Sequence, residues 1–332
     1  MYYSIQHQTK YRYSEPISET TMEVRLQPRT EWTQHCLSFH LDITPRVRVF
    51  QYEDHLRNSV HHFNVAARHQ ELCITAASLV EVQPFSNWPD SLSADAWAEI
   101  DGIVARDDYW EMLMPSHYAK PSPLLVELAA KIHVVRRDDP MTVLRQIKSG
   151  IFENFEYTPK STSVDSPIDD ALRNGSGVCQ DFAHIMITLV RQLRIPCRYV
   201  SGYVAPKEFD ADRTMAGQAS HAWVEALLPG LGWVGFDPTN NRMVADRHIR
   251  CSVGRDYLDV PPTKGLYRGS ASEQLSVQVT VRPVDGPQKP EAPFTFPTRE
   301  EWTAFPPPPV PTAQALSADS IRQQQQQQQQ QQ

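Results

Sequence analysis

Several things are missing from this 332-residue chain, and each absence narrows what it does. The five cysteines, Cys36, Cys73, Cys179, Cys197 and Cys251, include no Cys-x-x-Cys pair and are odd in number. Neither a zinc ribbon nor a disulfide framework is therefore expected. There is no long basic run and the net charge is −7. This argues against nucleic acid or an anionic membrane as partner, because phosphate binding needs clustered Lys and Arg. No stretch of about 18 apolar residues occurs, so no membrane-spanning helix is expected. The opening Met1-Tyr2-Tyr3-Ser4-Ile5-Gln6-His7 lacks a basic region leading into an apolar run and a small-residue cleavage site, so no signal peptide is expected. No internal repeat is visible. The expectation is a cytoplasmic protein with reduced thiols, most of them buried as small hydrophobes, and at most one cysteine with special chemistry.

What is present divides into blocks. A chain of this length predicts about two domains, and 40% hydrophobic with 21% charged residues allows each a buried core. Residues 1–82 alternate with period two in short runs: 2–9, 36–43, 47–52, 59–65 and 72–82. Turn residues separate them, which predicts an antiparallel β-sandwich. Within it His61 and His62 are adjacent on a strand and point to opposite faces, so they read as surface or core imidazoles and not as metal ligands. Residues 83–122 form a proline-punctuated connector with one short helix near Ala94–Val104. A second domain, 123–282, opens with helical spacing over 124–132. It continues past Pro140, placed where a first helical turn accepts proline, through Val143, Leu144, Ile147 and Ile151. The segment 283–332 is rich in proline and ends in ten glutamines, a composition expected to be disordered.

The chemistry concentrates in three places. Gly175-Ser176-Gly177 turns the chain into a helix whose buried face carries Phe182, Ile185, Met186, Leu189 and Leu193. Cys179 falls in its first turn, where the positive dipole end favours a thiolate and the N–H groups can hold an oxyanion. By itself this segment is equally readable as a buried structural cysteine. Two strands joined by Leu228-Pro229-Gly230-Leu231 then carry His221 and Asp237. A carboxylate on one strand fixes the tautomer of an imidazole on its neighbour, and the other ring nitrogen takes the thiol proton. A lone strand histidine is usually structural and an Asp before Pro usually a turn residue. Cys, His and Asp in this order and these local contexts are harder to dismiss.

The motifs carry a resemblance. Gly177-Val178-Cys179-Gln180-Asp181-Phe182-Ala183-His184, Ile195-Pro196-Cys197-Arg198-Tyr199-Val200-Ser201-Gly202-Tyr203, His221-Ala222-Trp223-Val224-Glu225, Gly232-Trp233-Val234-Gly235-Phe236-Asp237-Pro238-Thr239 and Gly254-Arg255-Asp256-Tyr257-Leu258-Asp259-Val260-Pro261-Pro262-Thr263-Lys264-Gly265 stand in order. Over most of residues 1–283 the chain resembles bacterial transglutaminase-like proteins with an N-terminal β-domain. The resemblance implies an α+β fold: an all-β sandwich preceding a papain/transglutaminase-like core, with a nucleophile helix packed on an antiparallel sheet. It maps Cys179 onto the nucleophile, His221 onto the base and Asp237 onto the orienting carboxylate, and implies no cofactor or metal. Cys197 stands where Ala is common and reads as a small hydrophobe. Tyr157 lies where the family has an aromatic residue, its hydroxyl either a second oxyanion donor beside the Cys179 N–H or a packing group. Trp223 and Trp233 flank the presumed triad as cleft walls or core. Asp181 either supports the site or complements the helix end. Residues 207–218 read as a solvated loop, with gating as the alternative. Asp256, Tyr257 and Asp259 read as a surface loop, with pocket shaping as the alternative.

The reaction implied is acyl transfer through a thioester on Cys179. Hydrolysis of an amide or peptide bond is the favoured outcome, because water needs no second binding site. Transfer to an amine, acetyl transfer from a coenzyme thioester, and a non-catalytic binding scaffold are the alternatives. A peptide or protein substrate is expected. Proteins of this kind also resemble partners of ATP-dependent peptide-ligating enzymes.

Overall fold

In the computed structural model, residues 1–84, 88–159, 161–163, 165–206 and 220–287 are described. The chain opens with an unusually long strand, β1 (Tyr2–Val24), then β2 (Gln34–Thr44), β3 (Val49–Glu53), β4 (Ser59–Val65) and β5 (His69–Val82). In the first half of β1 the odd residues Tyr3, Ile5, His7, Thr9, Tyr11 and Tyr13 are buried, the inside–outside alternation that a half-buried strand requires. Pairing with β5 slips between Arg12 and Ile17, and beyond that bend β1 pairs instead with β4. One strand thus runs through both layers of the sandwich, and the slip lets it turn from one into the other.

The connector holds α1 (Ala96–Ala105), matching the expected short helix to within two residues. Next come α2 (Pro123–Lys131) and α3 (Pro140–Asn154). Both start with a side-chain cap followed by proline. Ser122 Oγ accepts from Leu125 N at 3.2 Å, and Asp139 Oδ1 accepts from Met141 N at 2.9 Å. A two-residue strand β6 (Glu156–Tyr157) leads to α4 (Ile168–Asn174), a helix closed by Gly175 at φ 62°. Strand β7 (Ser176–Gly177) pairs in parallel with β6, placing Tyr157 beside Gly177. The central helix α5 (Cys179–Gln192) follows at once.

The sheet behind α5 is formed by β8 (Cys197–Val204), β9 (His221–Leu228), β10 (Gly232–Asp237), β11 (Arg242–Met243) and β12 (His248–Gly254), in the order β11-β10-β9-β8-β12. All its neighbours are antiparallel. Helix α5 is buried along nearly its whole length, with Ala183, Ile185, Met186, Ile187, Leu189 and Val190 all inaccessible. Arg191, near its end, donates to the carbonyls of Met112, Met114, Cys197 and Arg255 and to Ser116 Oγ. A guanidinium has five donors, and this one spends them binding the connector to the core.

The chain then goes back. Strands β13 (Thr263–Arg268) and β14 (Glu273–Val284) both pair antiparallel with β1. The sequence boundaries place them in the second domain at 123–282, but their hydrogen bonds belong to the first, which is therefore built from both ends of the chain. The cause is simple: alternation marks which face of a strand is buried and is silent on its partner. Strand β14 also runs through Pro283 to Val284, just past the expected start of the disordered segment; 288–332 lie outside the described residues. The two domains share a core, since Tyr203, Ala205, Ile249 and Cys251 pack with the apolar face of β1 and β14. Among the described residues no helix is long and apolar enough to cross a membrane, which leaves β-barrels unaddressed.

Candidate active site

Helix α5 begins at Cys179, with Val178 as its cap residue in extended conformation. Asp181 Oδ2 reaches back to accept from Val178 N at 2.9 Å, half of a capping box, and also from Thr162 Oγ1 at 2.5 Å. Asp181 is thus the inward-facing cap of α5 and ties Thr162 to it. Burial raises its carboxyl to about 6, against the two bonds that favour the anion. Gly177 has to be bare here, because a Cβ would sit 2.9 Å from Asp181 Oδ2 and 3.1 Å from the Phe182 ring.

His221 opens β9 and Asp237 closes β10. The two strands pair from Gly232↔Leu228 to Phe236↔Val224, which brings the carboxylate alongside the ring. His221 Nε2 donates to Asp237 Oδ2 at 2.9 Å. The ring is also hydrogen-bonded to Cys179; with Nε2 taken, that bond belongs to Nδ1. The structure thus brings the three residues singled out from sequence into one hydrogen-bonded line, Cys179–His221–Asp237. Burial alone would make the His221 ring harder to protonate. The charge and bond of Asp237, then those of Cys179, outweigh it and raise the imidazole to about 10.

Asp237 is fully buried and held from several sides. Its Oδ1 accepts from Thr239 N at 3.0 Å and Asn240 N at 3.1 Å. Its Oδ2 accepts from Asn240 Nδ2 at 2.7 Å and from His248 Nε2 at 3.2 Å besides His221. Burial pushes its carboxyl up, but the two imidazoles dominate and hold it well below the usual range. Asn240 and His248 were not singled out from the sequence. An Asn after Asp-Pro-Thr looks like a turn residue, and a lone His in a strand has no periodic signature. Lys148 of α3 is a third such residue: its Nζ donates to Asn241 O at 2.9 Å, securing the turn from which Asn240 reaches the carboxylate.

Trp223 is completely buried and stacks on His221, with ring centroids 6.2 Å apart at 28°. Of its two expected roles, core packing is the one observed, although the ring it packs against is the imidazole of the line. A Cβ on Gly202 would meet Trp223 at 2.6 Å and the Ile249 carbonyl oxygen at 2.1 Å, so the indole needs that bare backbone. Trp233 lies further out, under the Arg198 guanidinium at 4.4 Å. Tyr157 is partly exposed and edge-on to Phe182 at 6.4 Å. Burial, then the nearby charges of Cys179 and Asp181, raise its hydroxyl, which stays a proton donor.

Two expectations need correction or placement. The 256–259 turn is not a surface loop. Asp256 and Tyr257 are buried; Asp256 Oδ2 accepts from Tyr118 N at 2.8 Å, and Tyr257 N donates to His184 Nε2 at 3.2 Å. The turn is tied to α5 through His184. Residues 207–218, read as a solvated or gating loop, lie outside the described residues. Burial pushes the thiols of Cys36 and Cys197 up to about 11 and raises those of Cys73 and Cys251. Among the described residues no group of three His, Cys, Asp or Glu is arranged to hold a metal ion.

A thiol at a helix start, facing an imidazole and a carboxylate on an antiparallel sheet, defines a papain-like α+β core. The sequence also matches the model of the transglutaminase-like superfamily over residues 127–238 and that of the bacterial transglutaminase-like N-terminal region over residues 3–81. It is 34% identical over 277 residues to an uncharacterised protein of Mycobacterium leprae, covering 83% of this chain and 96% of that one. A protein-glutamine gamma-glutamyltransferase of Pseudomonas aeruginosa is 28% identical over 195 residues, 55% of this chain but 28% of that protein. A solved Cytophaga hutchinsonii structure, described as a "putative cysteine protease", shares the fold with a TM-score of 0.66 at 23% identity, covering 86% of this chain and 92% of that one. The chain belongs to the transglutaminase-like superfamily, whose members are typically cysteine-dependent enzymes.

Proposed function

We propose that this protein is a cysteine-dependent hydrolase of amide or peptide bonds acting through a thioester on Cys179. The observation that carries the reading is the unbroken line from the Cys179 thiol through His221 to the buried Asp237 carboxylate. Cys179 gives its proton to His221, and the sulfur attacks a carbonyl carbon. The carbonyl oxygen becomes an oxyanion at the positive end of α5, with the Cys179 N–H and the Tyr157 hydroxyl as its donors. The His221 imidazolium protonates the departing amine, and Asp237 stabilises its charge meanwhile. Water, deprotonated by the same ring, then opens the thioester and frees the acid.

An amine in place of water would give acyl transfer with the same three residues. The Pseudomonas relative, by its name, transfers glutamine acyl groups, which supports this second reading. A digest of a peptide library with and without added primary amine separates the two by product mass. Hydrolysed peptides in both arms support the hydrolase, and amine adducts support the transferase. No product in either arm, together with no labelling of Cys179 by an electrophilic peptide, would leave a binding scaffold. A small-peptide substrate and association with ATP-dependent peptide-ligating enzymes fit this chemistry, as does a cytoplasmic setting.

A further inference from the structure

Asp237 serves two imidazoles. His248, the first residue of β12, is buried, and its Nε2 donates to the same Oδ2 that receives His221. The Ala245 N–H points at His248 Nδ1 from 3.5 Å, so Nδ1 is the acceptor and the ring proton sits on Nε2. Trp223 locks both rings, edge-on to His248 at 5.2 Å and stacked on His221 at 6.2 Å. The charged and titratable groups around His248 are Asp237 from β10, His221 from β9 and Arg250 from β12 itself. Behind Asp237 stands Lys148 from α3, and beyond His221 lies Cys179 of α5. Burial, helped by the His221 and Arg250 charges, keeps His248 neutral against the pull of Asp237.

Resting on the acyl-transfer reading above, we propose that His248 is a positioning residue, a neutral donor that shares the Asp237 carboxylate with His221 and so limits how tightly Asp237 holds the His221 imidazolium. A carboxylate oxygen that accepts a further N–H carries less charge to offer the imidazolium. His221 has to retain its proton while the thiolate forms and release it to the leaving amine, so its acidity has to be moderate. Without His248, Asp237, still held by Thr239 N, Asn240 N and Asn240 Nδ2, would hold that proton more firmly. His248 draws off part of the charge without adding a cation beside the imidazolium.

The test is a pH titration of the full chain labelled with 15N-histidine, followed by NMR, for wild type, His248→Phe and His248→Gln. Iodoacetamide labelling of the same samples is mapped by mass spectrometry. Wild-type His248 is expected to stay neutral with its proton on Nε2 through the neutral range. H248F should move the His221 titration to higher pH. H248Q, whose amide N–H has about the reach of Nε2, should leave it near wild type. Should H248F fail to fold, His248→Asn, whose amide stops short of the carboxylate, takes its place with the same expectation. The proposal is overturned by an unmoved His221 titration in the folded variant, by H248Q shifting as far as H248F, or by a His248 that gains a second proton near neutral pH. Failure of the acyl-transfer reading would show separately, as wild-type Cys179 alkylated no faster than Cys36.

Discussion

Replacing Asp237 by Asn tests the site most directly, because the two side chains have the same shape and differ in charge and donors. Raising an imidazole from 6.5 to about 10 corresponds to about 5 kcal/mol in favour of the imidazolium. Asp237 supplies the two largest favourable contributions, so much of that preference, on the order of 3 kcal/mol, should vanish with the charge. This alone makes the thiolate–imidazolium pair roughly a hundredfold rarer. The tautomer adds to the loss. The Thr239 and Asn240 N–H groups demand an acceptor at the Oδ1 position. The Asn amide nitrogen must then occupy the Oδ2 position, where it donates to His221 Nε2 and forces the ring proton onto Nδ1, facing the sulfur. The ring can then no longer accept the thiol proton. Together these predict a fall in turnover of about three to four orders of magnitude, comparable to the same exchange in Ser-His-Asp triads. The assay is hydrolysis of fluorogenic peptide amides with parallel iodoacetamide labelling of Cys179 against pH. A variant within tenfold of wild type, with an unshifted labelling profile, would refute the assignment of Asp237 and His221 as a working pair.

Other residues give sharper tests of single points. Tyr157→Phe should lower turnover roughly 10- to 100-fold and leave Cys179 alkylation unchanged if the hydroxyl completes the oxyanion site; unchanged turnover would assign Tyr157 to packing. Glu225 is fully buried between Arg198, which donates twice to Oε2 at 2.7 and 2.9 Å, and Arg250. Glu225→Gln takes from buried Arg198 and largely buried Arg250 the carboxylate they share and should cost about 3 kcal/mol, a melting temperature lower by on the order of 10 °C. Burial opposes the Glu225 anion but the two guanidinium groups hold it down to about 2, so its contribution is present above pH 4.5 and lost as pH falls toward 2. The wild-type melt should fall through that window and the gap to the variant should close; a constant gap would contradict the ion-pair account. Asp181 has the opposite sign. Burial raises its carboxyl from 3.8 to about 6, so the folded chain binds the proton more tightly, and stability contributed at this site grows as pH falls from 6 to 3.8. Asp181→Asn keeps an oxygen for Val178 N and Thr162 Oγ1 and loses the buried charge, so its melting temperature at pH 8 should exceed wild type.

The fold was legible where a pattern is local. Proline after a capping Ser or Asp announces α2 and α3, because the cap and the fixed φ act within one turn. The one-sided apolar spacing of α5 is likewise complete within its own residues. What was not legible was the pairing of strands far apart in the chain. Leu275, Val277, Val279 and Val281 alternate cleanly, yet nothing in them says that they pair with Tyr11, Thr9, His7 and Ile5 at the other end of the chain. The alternation of β1 is broken by Glu15 and Pro16 at its bend, which hides that one strand continues to Val24.

The same distinction divides the site. Cys179, His221 and Asp237 stand out because each sits in a distinctive local context: a glycine turn into a helix, a strand start, a strand end before proline. The groups that tune them do not. His248 lies eleven residues past Asp237, beyond a turn and a two-residue strand, and meets the carboxylate although β8 and β9 stand between β12 and β10 in the sheet. Lys148 meets the same neighbourhood from α3, through a backbone carbonyl. Reactive groups are constrained in type and spacing by the bond they attack, whereas the surrounding groups need only deliver an N–H to one oxygen. Asn, His and two backbone amides all satisfy that demand around Asp237, so the residue type carries little information and only the geometry reveals the role.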